Sequence, residues 1–156
     1  MKRSVLIACS AIIAACGWSA QAAQSAVKVG VLTCDIDGGR DHIINVSKKV
    51  QCGYMPNSGR PESYTGTISK VGAGRGYIGK GAITWDVVAP DAEIGPGALQ
   101  GRYGRFDVDA AASAGGPLLG GSGISIALHP VIVEGDRRFD KFVAEVQGLT
   151  LKFAKD

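Results

Sequence analysis

Histidine is nearly absent from this 156-residue chain; His42 and His129 are the only two. They show no His-x-x-x-His spacing, and no Cys-x-x-Cys accompanies them, so a zinc ligand set is missing. A Ser-His-Asp triad can be built from them only by assuming a fold. Aromatic residues are scarce as well, at 6%, so a core must be assembled mostly from aliphatic side chains. No sign of charge dominates: Lys plus Arg is 17, Asp plus Glu is 14, and the formal net charge is +3. That is too mild to imply a nucleic-acid or polyanion partner from charge alone. Val5 to Ala15 is apolar save for Ser10, but a bilayer span needs about 20 apolar residues. No internal repeat and no heptad pattern is present. These absences exclude a coiled coil, a polytopic membrane protein and a multi-domain enzyme.

What is present is glycine, at 23 residues, and a hydrophobic content of 46%. That is the composition of a folded globular chain. The first 22 residues read as an export signal. Lys2 and Arg3 form a positive start, the Val5–Ala15 stretch follows, and Ala20-Gln21-Ala22 supplies small-x-small before a cleavage at Ala23. Residues 23–156 are then a single β-rich domain in the periplasm. Taking Lys2 and Arg3 from the +3 of the whole chain leaves +1. The alternative address is a lipid anchor. Ile13-Ala14-Ala15-Cys16 approximates a lipobox, in which Cys16 becomes the lipidated N-terminus of an outer-membrane lipoprotein.

Cleavage before Ala23 removes Cys9 and Cys16 and leaves Cys34 and Cys52. In an oxidising compartment that even pair is expected to form one disulfide. In the chain-entropy picture, closing the loop between positions 34 and 52 stabilises by roughly 3 kcal/mol.

The mature chain has period two. Val27, Val29 and Val31 point one way with Lys28 and Gly30 opposite, as in a half-buried strand. Asp37-Gly38-Gly39 is a turn signal. Ile44, Val46, Val50, Cys52 and Tyr54 share one parity. If the first strand runs antiparallel to Lys48–Met55, Cys34 faces Cys52. Tyr64–Val71 reads as a strand, Gly72–Gly81 as a glycine-dense turn, and Ile83, Trp85 and Val87 as the inner face of another strand. Leu99–Ala114 reads as a long strand bent at Gly101 and Gly104, with Phe106, Val108, Ala110 and Ala112 inward beyond the bend. Ile124, Ile126 and Leu128 alternate up to Pro130, which marks an edge or a bulge. Strand follows strand at short spacing. The expected fold is therefore all-β, a single small antiparallel β-sandwich or barrel with one disulfide. Residues 137–147 stay open. Phe139, Phe142, Val143 and Val146 fall at helical spacing, with Asp136 as N-cap and Gly148 as stop. The strand reading puts Phe142, Ala144 and Val146 on one face, with a bulge at Gln147-Gly148 shifting the frame to Leu149, Leu151 and Phe153.

Several motifs suggest chemistry, and each has a plainer reading. Gly74–Gly79 fits G-x-G-x-x-G, and Gly74–Lys80 fits the start of a phosphate loop. Both require the glycines to open a helix, yet Ala82–Ala89 has a strand pattern, and position 81 is Gly where Ser or Thr must reach magnesium. A hairpin turn fits better. Asp35, Asp37 and Asp41 offer carboxylates to calcium, but their spacing departs from an EF-hand loop and suits a solvated turn. Ser122 misses the nucleophile elbow. Asp107 and Asp109 share one strand face, which suits surface more than a paired-carboxylate cleft. Arg102, Arg105, Arg137 and Arg138 are candidates for an anionic ligand, with solvated surface as the alternative. The small residues from Ala110 to Gly116 leave room for close approach, either by core packing or by a partner or ligand.

Four segments, Val27–Cys34, Tyr64–Ile68, Pro96–Gly101 and Ser125–Leu128, resemble a bacterial family of small exported proteins catalogued as domain of unknown function 992 (DUF 992). The resemblance covers essentially the whole mature chain, and Cys34 and Cys52 match the family's cysteine pair. It implies export and a single β-domain. Where this chain has Glu134–Phe142 the family is more glycine-rich, which favours strand there. The family supplies no catalytic residues to carry over.

The expectation is an exported periplasmic protein with no catalytic, metal or cofactor site, acting as a non-enzymatic envelope or interaction protein whose partner would be an envelope protein or the membrane surface. The alternative is a small binding module for an apolar or anionic ligand, held in a barrel mouth or between sheets. A hydrolase is the least supported. A ligand-binder predicts a cavity of roughly 300 Å³ or more lined by apolar residues, whereas a filled interior favours the interaction protein, especially with an exposed apolar patch.

Overall fold

The computed structural model describes residues 26–41, 45–71, 76–78, 80–105, 118–120, 126–135, 139 and 145–155. The strands are β1 (Val27–Ile36), β2 (Gly39–Asp41), β3 (Asn45–Pro56), β4 (Glu62–Val71), β5 (Gly76–Ile78), β6 (Gly81–Ala89), β7 (Gly101–Arg105), β8 (Leu118–Gly120), β9 (Ile126–Glu134) and β10 (Val146–Ala154). The fold is all-β and its pairings are antiparallel. One curled sheet runs in the order β1-β3-β4-β10-β7-β8-β9-β6, and β6 pairs in turn with β1. Such a ladder leaves no long row of unpaired amides on its central strands. β2 and β5 form a separate two-stranded ribbon. Among the described residues no helix is long and apolar enough to cross a membrane.

Alternation explains the interior. Val50, Cys52 and Tyr54 of β3, Tyr64 and Ile68 of β4, and Ile83, Trp85 and Val87 of β6 are all buried, as period two dictates. β1 departs from the simple alternation. Val29 faces inward as expected, but beyond it the inward set is Leu32, Cys34 and Ile36, while Val31 is only half-buried and Val27 is exposed. The cause is a register shift between Lys28 and Gly30 against β6, because an extra residue inverts the parity of everything beyond it. Two further irregularities fall where proline and glycine announce them. β9 shifts against β6 so that Trp85 faces Pro130 and Thr84 faces Ile132. β10 shifts between Val146 and Gly148, which brings Leu149 and Leu151 inward.

Cys34 stands directly opposite Cys52 in the β1–β3 register. Their sulfurs are 2.07 Å apart, a disulfide distance, and both side chains are buried.

The two ends of the interior are closed differently. At one end Phe139, fully buried and helical in conformation, seats its ring against Gly81 and Gly135. A Cβ on either glycine would lie 2.4–2.5 Å from the ring, so only glycine leaves room. The strand reading of the ambiguous stretch does not hold at Phe139, whereas Val146 onward is strand. Residues 137–138 and 140–144 of that ambiguous stretch lie outside the described residues. At the other end Leu99 is fully buried within a turn, not in the long strand its sequence suggests. β7 begins only at Gly101 and ends at Arg105, and the expected continuation through Ala114 lies outside the described residues. Gly97 has φ +74, and that left-handed residue turns the chain so that Gln100 N–H reaches the Gly97 carbonyl at 3.0 Å. Three tyrosines fasten this end. Tyr103 O–H donates to the Leu99 carbonyl at 2.8 Å and Tyr54 O–H to the Val29 carbonyl at 3.1 Å. Tyr64 O–H donates to the Glu62 carboxylate, which also accepts from Gly97 N–H at 3.3 Å.

Candidate functional site

The inward alternation of β3, β4 and β10 fixes what faces out. Lys49 and Gln51 of β3 and Thr65 and Thr67 of β4 are exposed, as is Lys152 of β10, while Thr150 of β10 is half-buried. Register then aligns them into rows across the strands. Lys49 pairs with Thr67, Thr67 with Thr150, and Thr150 with Arg102 of β7. One step along, Gln51 pairs with Thr65, and Thr65 with Lys152. These two rows line a concavity of about 740 Å³, with Asp37 at its β1 side. That volume lies within the usual range for ligand sites, about 300–1,000 Å³.

Gly66 lets the strands meet there. A Cβ on Gly66 would lie 1.8 Å from the Thr150 carbonyl oxygen, so β4 and β10 approach at a distance only a glycine permits. Around this floor stand three cations, Lys49, Arg102 and Lys152, against one carboxylate, Asp37. Threonine hydroxyls and the Gln51 amide both donate and accept hydrogen bonds. Chemically the arrangement offers positive charge at its margins and neutral polar groups in the middle. Among the described residues that line it there is no Ser, Cys or His.

A second, smaller concavity of about 330 Å³ opens at the tyrosine-fastened end, lined by Val29, Tyr54, Ser58 and Glu93 among others. Burial pushes the Tyr54 phenol up to about 12, assisted by the Glu62 carboxylate. Burial is also the first cause raising Tyr64, followed by its hydrogen bond to Glu62, and burial raises Tyr103. All three phenols are thus held neutral and donate inward. Tyr103 ties β7 to the Leu99 turn, Tyr54 ties β3 to β1, and Tyr64 holds Glu62 of its own strand, which in turn accepts from the Gly97 turn. Trp85 is buried, and its indole N–H has no hydrogen-bond partner among the described residues.

The sequence-derived candidates fare unevenly. Arg102 lies at the margin of the larger concavity, and Asp37 lines it. Asp35 faces outward on β1, opposite Gln51. The glycine-rich run forms no helix where it is described, since Gly76–Ile78 is strand β5, paired with Gly39–Asp41. The two stretches read as turns thus contain a short ribbon. Among the described residues no three His, Cys, Asp or Glu side chains are grouped to hold a metal. His129 is exposed on β9 opposite Asp86, whose carboxylate is 2.6 Å from Lys28 Nζ. His42, Asp107, Asp109, Ser122, Arg137, Arg138 and the stretch 110–116 lie outside the described residues. Sequence reasoning did not single out Lys49, Gln51, Thr65, Thr67, Thr150 or Lys152. Their one signal is outward parity on strands whose inward parity is plain.

No curated protein and no solved structure matches the chain. The model of one protein family, described as "Protein of unknown function (DUF992)", matches residues 13–152.

Proposed function

The chain belongs to the DUF992 family, and from that premise we propose that it is an exported, non-enzymatic envelope protein that binds an anionic ligand on the outer face of a small disulfide-stapled barrel. The observation that carries the reading is the concavity in which Lys49, Arg102 and Lys152 surround a threonine floor. An apolar ligand inside the barrel is disfavoured. The interior is occupied by Trp85, Tyr64, Leu32, Ile68 and Leu128, each 1% exposed or less. The ladder in which β6 pairs back to β1 supports a barrel over a sandwich. Residues 1–22 act as a cleaved leader, the mature chain starts at Ala23, and Cys34 and Cys52 are bonded in the periplasm. Lipidation at Cys16 is the alternative that an intact mass distinguishes.

Retention on phosphocellulose tests the binding surface. The K49A/R102A/K152A protein is expected to elute at clearly lower salt than an R60A/K80A/K155A control, which removes equal charge from exposed positions elsewhere. Equal elution of the two triples would reduce the effect to net charge and overturn the assignment. Mass spectrometry of the periplasmic fraction tests the address, with Ala23 as the expected first residue.

A further inference from the structure

Resting on the anion-binding reading above, we infer that the ligand is an acidic oligosaccharide whose charges are separated by a neutral, hydroxyl-bearing stretch, lying across the strands. The placement of the cations argues this. Lys49 and Arg102 end a row that crosses β3, β4, β10 and β7. With neighbouring strands about 4.8 Å apart, three intervals separate their backbones by about 14 Å. Lys152, two residues beyond Thr150 on the same face, is the diagonal neighbour of Arg102, at about 7–8 Å. Arg102 and Lys152 therefore form one anion point, where the planar guanidinium engages a carboxylate through two parallel N–H bonds. Lys49 forms the second point on its own.

Between the points the floor is neutral. Thr67 and Thr150 lie on the row itself, and Thr65 and Gln51 lie beside it. β-Branching restricts the threonine side chains to few rotamers, so their hydroxyls are set in place for partners that also donate and accept, as sugar hydroxyls do. The Ile36–Val50 pairing puts Asp37 next to Lys49, so a carboxylate stands beyond Lys49 at the β1 end of the site. A ligand that carries a further charge past the Lys49 point is repelled there, whereas one whose charges end at the two points extends least toward it. Nucleic acid, with closely spaced phosphates, is disfavoured on the same ground.

Isothermal titration of residues 23–156 with four probes tests the inference. Hyaluronan tetrasaccharide carries two carboxylates separated by a neutral sugar, and the corresponding disaccharide carries one. Tetragalacturonate carries one on every unit, and chitotetraose carries none. The tetrasaccharide is expected to bind about tenfold more tightly than the disaccharide, and more tightly than tetragalacturonate or chitotetraose. Lys49→Ala should bring the tetrasaccharide down to the disaccharide's affinity and leave the disaccharide unchanged, whereas Arg102→Ala should weaken both. Asp37→Asn should raise the affinity for tetragalacturonate. Equal affinity for disaccharide and tetrasaccharide, or preference for tetragalacturonate, would overturn the separated-charge inference and leave anion binding standing. Tightest binding by chitotetraose, or no binding of any probe or of inorganic phosphate, would remove the anion-binding reading itself. Unchanged thermal midpoints of the variants would show that the losses are not failures of folding.

Discussion

The two faces of β3, β4 and β10 are made from alternate residues of the same strands and do opposite work. Inward, Val50, Cys52, Tyr54, Tyr64, Ile68, Leu149 and Leu151 are removed from water. Outward, Lys49, Gln51, Thr65, Thr67 and Lys152 stay exposed. The inner set is held by packing and tolerates little change of volume. The outer set is held by backbone register alone, so its side chains can vary in chemistry at little structural cost. On the anion-binding proposal, a sheet of this kind separates stability from recognition at the spacing of one residue.

The sharpest way to break that division is to cut into the inner face. Leu151→Ala should cost about 2–5 kcal/mol of unfolding free energy in urea titration. Replacing both Cys34 and Cys52 with serine should cost roughly 3 kcal/mol, and a reductant should do the same to the unmodified protein. Gly66→Ala belongs to both faces. It should cost about 1–3 kcal/mol by forcing β4 from β10, and it should weaken anion binding because the floor of the concavity moves. Alkaline titration probes the tyrosine-fastened end. The folded Tyr54 has its pKa raised from 10.0 to about 12, so its contribution is fully present below the unfolded value and is lost as pH rises through the folded one. Urea midpoints should hold steady to pH 10.0 and fall toward about 12, less steeply in Tyr54→Phe. The smallest effect on stability is expected on the outer face. Thr67→Ala and Lys49→Ala should each shift unfolding by no more than about 0.5 kcal/mol, and a larger loss would mean that the outer face also supports the fold.

Much of the inner face was legible in the sequence. The parity of Val50, Cys52 and Tyr54, and of Ile83, Trp85 and Val87, is the parity observed. Pro130 and the Gln147-Gly148 pair marked register shifts that are present. The β1 parity misled because the shift after Lys28 is imposed by β6, more than 50 residues away, and leaves no local sign. The ribbon of β2 and β5 was hidden because glycine signals a turn as readily as a short strand without side chains to pack. Leu99 resembled the start of a strand because burial of one leucine does not distinguish a strand from a plugging turn. The concavity was illegible for a stronger reason. Thr67 meets Thr150, and Thr150 meets Arg102, only through ladders between distant segments. Alternation states which way a residue points and says nothing of its neighbours across the sheet.

The opposed cysteines have a consequence for assembly. Once bonded, Cys34 and Cys52 act as a vernier stop between β1 and β3, since sliding either strand by two residues would pull the sulfurs out of reach. Lys49, Val50 and Gln51 immediately precede that stop on β3. The bond thus holds Lys49 and Gln51 in register with β1, whereas a chain held reduced relies on packing alone for the same alignment.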